Sequence, residues 1–196
     1  MNVIVHLMFA MTVRRRVKKS MGVSLSFTGF LYGNILPDIS KKYGAYPHYM
    51  KDALTHVVRT KDEIIEKSYG QSLSKYRFAM ELGAINHYLS DFFCLPHTED
   101  YYRGKIYHLY YELLMIARYR KGLIAYRRLL KEHSTRTLMP KELKSFIVEH
   151  NKIYRSKSAS DIKDIGYALF AGIKLIECVI AHSLANSAAS QKAASA

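Results

Sequence analysis

The chain lacks tryptophan and is poor in cysteine, proline and acidic residues, and each shortage narrows what the protein can be. Two cysteines give little support to a disulfide framework and favour a reduced setting. Four prolines leave long stretches in which helices can run uninterrupted. Only 16 Asp and Glu offset 30 Lys and Arg, so the formal net charge is +14. A surface this basic favours acidic partners, namely phosphate esters, anionic lipid headgroups or nucleic acid.

The pattern of a secretory signal or a membrane span is also missing. Residues 1–13 are apolar and precede a basic run at residues 14–19, whereas a signal peptide carries its basic residues first. The apolar stretch is too short to cross a bilayer and contains His6, and no other run reaches spanning length without a charge. We therefore expect a cytoplasmic protein without a signal peptide or transmembrane segment, peripheral to an anionic membrane surface at most.

Apolar residues recur at helical spacing along most of the chain, and no segment alternates as a strand does. The pattern predicts helices over residues 3–18, 48–68, 73–93, 101–132 and 161–184 and another beginning at Pro140. The glycine-punctuated segment 29–37 is predicted to end in a turn or loop before Asp38. These elements predict an all-α fold, a single helical bundle over residues 1–186. Residues 187–196 are mostly Ala and Ser, which is typical of a flexible tail.

The most informative motif is a set of histidines and carboxylates between residues 87 and 112. His87 and Asp91 are four residues apart, as are His108 and Glu112, and His97 lies between the two pairs. Residues four apart share one face of a helix, so each pair can hold one metal ion. Imidazole and carboxylate groups suit zinc, and several such ligands can hold more than one ion. The set predicts a metal-dependent hydrolase.

This set resembles the motif of the bacterial zinc-dependent phospholipase C family, an all-helical family whose fold is similar to that of the zinc-dependent single-strand nucleases. The family pattern is His-x-x-x-Asp, a histidine six residues later, then His-x-x-x-Glu, which here is His87, Asp91, His97, His108 and Glu112. Residues 82–91 are also similar to the family's Leu-Gly-x-x-x-His-Tyr-x-x-Asp helix.

The resemblance implies further ligands upstream. Residues 33–38 are similar to the loop that supplies the family's aspartate ligand, which implies that role for Asp38. The next ligand would be His48, which is followed by an aromatic residue as in the family, with His56 as the alternative. A third zinc is held in the family partly by the processed N-terminal residue and partly by a nearby histidine, to which His6 is similar.

The resemblance implies two or three zinc ions, metal-activated water and hydrolysis of phosphodiesters, with glycerophospholipids as substrates. One ion would take Asp38, His48, His87 and Asp91, and a second would take His97, His108 and Glu112. Asp91 and Glu112 could also reach a third ion with His6. Asp38 is in addition the candidate general base.

Two alternatives remain open at this stage. The first is a nuclease or nucleotidase on the same scaffold, for which a basic stripe on residues 118–131 could follow phosphates while Tyr119 and Tyr126 stack on bases. The second is a zinc-stabilised, catalytically inactive protein that binds membranes. Tyrosines buried between helices and a solvated basic face would argue against the nuclease.

Overall fold

The computed structural model describes residues 1–69, 73–99, 101–133 and 136–194. Within these ranges it contains eight α-helices, two 3-10 turns and no strand, which confirms the predicted all-α fold. The helices are α1 Val3–Met21, α2 Phe27–Gly33, α3 Leu36–Ile39, α4 Met50–Tyr69, α5 Lys75–Asp91, α6 Lys105–Glu132, α7 Leu143–Ser156 and α8 Asp161–Ala194. The 3-10 turns are Leu95–His97 and Pro140–Glu142.

Local sequence accounts for several helix ends. Asn2 caps α1 by accepting a hydrogen bond from the Val5 amide at 3.0 Å, and Gly22 ends α1 with a left-handed φ of 71°. Ser74 caps α5 in the same way by accepting from the Arg77 amide. These polar caps satisfy amides that have no partner inside the helix.

The turn or loop predicted at the end of residues 29–37 is wrong, because α3 spans that end and α2 covers the start of the segment. Ser26 accepts a hydrogen bond from the Gly29 amide and so starts α2, and Pro37 lies in the first turn of α3. Glycine and proline suggested a break, but Pro tolerates the first turn of a helix and has no amide to leave unpaired there. The turn itself is confined to the residues between α2 and α3.

α5 and α8 occupy the interior of the bundle. α8 packs against α1, α4, α5, α6 and α7, and α5 packs against α2 and α4. Most of the stretch Asp161–Asn186 is buried, although its length and composition would also allow it to cross a membrane. Such burial is that of a core helix. α8 continues to Ala194, into the segment predicted as a tail, and the boundary at residue 186 stays a prediction.

Candidate metal centre

α5 carries the centre of the candidate site. His87 and Asp91 lie one turn apart on this helix, and neither is exposed to solvent. The backbone at the end of α2 is in direct contact with the backbone of α5. The two are so close that a Cβ on Gly33 would overlap the carbonyl group of Met80 and the Cα of Gly83. Two glycines at the crossing therefore let the residue that follows α2 reach the imidazole of His87.

That residue is Asn34, which fixes the orientation of His87. The His87 Nδ1 donates to the Asn34 backbone oxygen at 2.8 Å, and the Asn34 side chain in turn accepts from the Asn86 amide nitrogen at 2.7 Å. Because a carbonyl oxygen only accepts, the proton of a neutral His87 is on Nδ1. The Nε2 lone pair therefore faces the carboxylates, as in a histidine prepared to bind a metal.

Three side chains from different elements meet the Nε2 atom of His87. Asp91 Oδ2 lies 3.3 Å from it, His48 Nδ1 3.4 Å and Asp38 Oδ1 3.5 Å. His48 Nδ1 also lies 2.9 Å from Asp91 Oδ2. The structure therefore brings together the four groups that the sequence assigned to one ion.

His6 on α1 enters the same region from the opposite side. Its ring stacks on that of His87 with centroids 3.8 Å apart, and its Nε2 lies 3.4 Å from Asp91 Oδ1. The ring is fully buried, and neither of its nitrogens has a hydrogen-bond partner among the residues that the structure describes. A buried polar group left unpaired is costly, and an ion that it binds is one accepted reason for it.

A second group of donors forms where α6 meets the 3-10 turn. His108 Nε2 lies 2.9 Å from Glu112 Oε1, and the His97 and His108 rings are 5.4 Å apart. His97 Nε2 is 3.7 Å from Asp91 Oδ1, so this group is continuous with the first. Together the eight side chains form what we call the histidine–carboxylate cluster: His6, Asp38, His48, His87, Asp91, His97, His108 and Glu112.

Four sets of three donor atoms in this cluster lie within 4.8 Å of one another. The sets are His6, His87 and Asp91; Asp38, His48 and His87; His48, Asp91 and His97; and His97, His108 and Glu112. The donors are imidazole nitrogens and carboxylate oxygens, which is the ligand chemistry of zinc. The residues present therefore fit zinc ions.

The amine of Met1 lies inside the cluster, in the place where the resemblance implied the family's N-terminal residue as a ligand. It contacts Asp91 Oδ1 at 2.5 Å, His97 Nε2 at 2.7 Å and Glu112 Oε1 at 3.6 Å. Met1 stands five residues before His6 and directly before the cap of α1, which was the available signal.

Burial sets the charges of the cluster. It lowers the pKa of His6 to about 4 and the pKa values of His87 and His97 to about 3. Burial alone would raise the pKa of Asp91, but His97, the Met1 amine and the other two histidines hold it well below its usual value. At neutral pH these imidazoles are neutral and this carboxylate is ionised, which are the protonation states that metal binding requires.

Asp164 on α8 supports the turn that carries His97. This fully buried carboxylate accepts hydrogen bonds from the Leu95 amide at 2.8 Å, the Tyr111 hydroxyl at 2.8 Å and the Tyr154 hydroxyl at 2.9 Å. Burial raises its pKa to about 7 in spite of these three donors. No motif in the sequence points to this role, because Asp164 is remote from the histidine–carboxylate set.

Other candidates lie outside the cluster. The His56 ring stacks on Tyr46, and His56 belongs to none of the donor sets found among the described residues. Cys94 is buried with its sulfur 4.0 Å from that of Met115, as expected for a packed cysteine. Tyr119 and Tyr126 are buried between helices and so do not offer their faces to nucleic acid bases.

A family model described as zinc-dependent phospholipase C matches residues 4–161, a range that includes all eight residues of the histidine–carboxylate cluster. A comparison with curated proteins returned no match, and neither did a comparison with solved structures.

Proposed function

The chain belongs to the zinc-dependent phospholipase C family, as its motifs predicted, and on this premise we propose that it hydrolyses phosphodiesters, with glycerophospholipids as its substrates. Its products would be a diacylglycerol and a phosphorylated headgroup. The observation that carries the proposal is His6, a buried imidazole without a hydrogen-bond partner among the described residues, held 3.4 Å from a buried carboxylate. A metal ion between these groups would satisfy both.

We propose that two or three zinc ions are shared among the donors of the cluster. Asp38, His48 and His87 would hold one ion with Asp91, and His97, His108 and Glu112 would hold another. His6 would take part in a third, where Asp91 can serve two ions because its two oxygens face different groups. Bound zinc supplies Lewis acidity, which polarises a phosphoryl oxygen and lowers the pKa of water to about 7.

Asp38 is the residue we assign to proton transfer. Its carboxylate is part-exposed at the edge of the cluster, so a water molecule can reach it. Burial raises its pKa above the usual value, although His87 opposes that shift. A carboxylate with a raised pKa is a stronger base and can accept a proton from an attacking water molecule. His87, held by Asn34, keeps its position while this happens.

Metal analysis and turnover of a chromogenic phosphodiester test the proposal together. We expect about two or three zinc equivalents per chain, lost together with activity in His87→Ala and in His108→Ala. His182→Ala is the matched control, because this histidine bonds to its own helix at Cys178 and lies outside the cluster. His56→Ala should behave like that control if His48 is the ligand.

The alternatives give different results in the same assays. The buried positions of Tyr119 and Tyr126 do not favour nucleic acid binding, so headgroup release from lipid vesicles should exceed cleavage of single-stranded DNA. Folded, zinc-loaded protein without turnover on any phosphoester would instead identify an inactive binding protein. Wild-type zinc content in both His87→Ala and His108→Ala would overturn the metal centre itself.

A further inference from the structure

The N-terminal half of α6 exposes an apolar face. Ile106 is 88% exposed, Leu109 57%, Tyr110 53% and Leu113 52%. Their spacing of three and four residues places them on one side of the helix, opposite the buried side that carries Met115 and Tyr119. Exposed apolar side chains grouped on one face mark an interaction surface more often than a solvated one.

α1 runs alongside α6 in the same direction. The Met1 amine lies near Glu112, the Tyr119 hydroxyl donates to the Met8 oxygen, and the Arg16 side chain donates to the Tyr126 hydroxyl. These contacts place α1 against the buried side of α6, and the Met1 end of α1 is level with the turn of α6 that exposes Leu113.

Basic residues continue the same side of α6 beyond the apolar turns. These residues are exposed, and their helical spacing places them on the side of α6 that carries the apolar residues. They are Arg120, Lys121, Arg127 and Arg128. Glu112 is the only acidic residue in the sequence from residue 101 to residue 131, and it is buried in the cluster. The outer face of α6 thus has an apolar half and a cationic half, and Glu132 at the end of the helix is its one exposed acid.

We propose that this outer face, formed by Ile106, Leu109, Tyr110 and Leu113 with the basic residues of α6, docks on an anionic lipid surface. Aliphatic side chains enter the acyl boundary, a tyrosine suits the headgroup level, and arginine and lysine attract anionic headgroups. Nucleic acid would use the cations but has no use for three exposed aliphatic side chains on one helix face.

Docking by this face would bring the histidine–carboxylate cluster close to phospholipid substrates, an inference that rests on the proposed function. The turns of α6 that expose Leu109 and Leu113 also carry His108 and Glu112. A protein held by these turns has its cluster within a few residues of the lipid surface, where phospholipid substrates reside.

Co-sedimentation with vesicles tests the docking directly. Wild-type protein should bind vesicles of mixed phosphatidylglycerol and phosphatidylcholine more tightly than vesicles of phosphatidylcholine alone, and salt should weaken the difference. The double variant Leu109→Glu, Leu113→Glu should bind anionic vesicles at least about tenfold more weakly than the wild type. It loses two side chains that insert into the lipid and gains two negative charges. Leu184→Glu is the control, since Leu184 is equally exposed at 56% but lies on α8.

The fold of each variant is checked by its thermal melting, which exposed substitutions should leave nearly unchanged. Equal vesicle binding by the wild type and the double variant would overturn the proposal. So would a wild-type dimer that the double variant converts to a monomer, or loss of binding to single-stranded oligonucleotides in place of vesicles. Vesicle binding is read without turnover, so its failure is distinct from failure of the hydrolase proposal: bound protein that releases no headgroup contradicts only the latter.

Discussion

Asp91→Asn would remove the charge around which the histidine–carboxylate cluster is built. The carboxylate is fully buried and faces the Met1 amine at 2.5 Å and His48 at 2.9 Å, with three more histidines within 3.7 Å. Asparagine has nearly the same shape, so the substitution tests charge and ligation and leaves the packing in place. We expect it to destabilise the metal-free protein and to weaken zinc binding.

The size of the effect on the metal-free protein follows from the amine. Burial lowers the pKa of the Met1 amine, but its interactions with Asp91 and Glu112 are among those that outweigh burial, and the pKa rises from 8.0 to about 10. Two pKa units correspond to about 3 kcal/mol, which is within the ~3–5 kcal/mol typical of breaking a buried ion pair. A raised pKa of a cation stabilises the fold below the unfolded value, so this contribution is fully present at pH 7 and lost above about pH 10.

Thermal melting of zinc-free protein with and without added zinc measures both effects. For a chain of this size we expect a melting temperature about 6–12 °C lower in Asp91→Asn, from a loss of about 3 kcal/mol. Added zinc should raise the melting temperature of the wild type and raise that of the variant far less, because a ligand stabilises only the state that binds it. Asp52→Asn makes the same chemical change on the exposed first turn of α4 and should alter neither value.

Two outcomes would refute this reasoning. If Asp91→Asn melts with the wild type in the absence of zinc, the amine is not held in the site by that carboxylate. If the variant retains wild-type zinc content, Asp91 is not a shared ligand of the cluster.

Three further outcomes are expected. The free energy of unfolding of zinc-free protein should fall as the pH drops below about 6.5, by about 1.4 kcal/mol per pH unit for each buried histidine, since between that pH and about 3 His87 and His97 take up protons only in the unfolded state. Urea titrations at several pH values measure this free energy, and a flat profile down to pH 5 would contradict the burial of these rings. Asp164→Asn should lower the free energy of unfolding by about 1–3 kcal/mol and weaken zinc binding, because the turn that begins at Leu95 loses its charged acceptor. Zinc affinity equal to that of the wild type would show that Asp164 contributes to stability only. Gly33→Ala should destabilise the fold by about 3 kcal/mol or more, because the added Cβ would meet the backbone of α5. An unchanged melting temperature would show that α2 can move away from α5 to make room for it.

The parts of the site that lie on single helices could be predicted from the sequence. The four-residue spacing of His87 with Asp91, and of His108 with Glu112, follows from helical geometry alone, and the structure places each pair on one face. The all-α class follows in the same way from the spacing of apolar residues. Helix boundaries were correct within four residues for α1, α4, α5 and α6, whereas α8 extends ten residues beyond its predicted end.

Contacts between remote elements could not be predicted in this way. The choice of His48 over His56 for the cluster depends on how the segment before α4 crosses α5, which no periodicity encodes. The same holds for Asn34, whose backbone oxygen orients His87 only because two glycines let α2 approach α5. Both the position of His48 and the contact of Asn34 with His87 depend on tertiary packing.

The position of Asp164 bears on where this protein can be cut. The family match ends at residue 161, yet the carboxylate that fastens the His97 turn comes three residues later, and the helix that carries it packs against five others. A shortened chain designed to the limits of the family match would therefore keep all eight residues of the histidine–carboxylate cluster and lose the anchor beneath one of them. The part of the fold that supports the cluster includes residues of α8 beyond the end of the match.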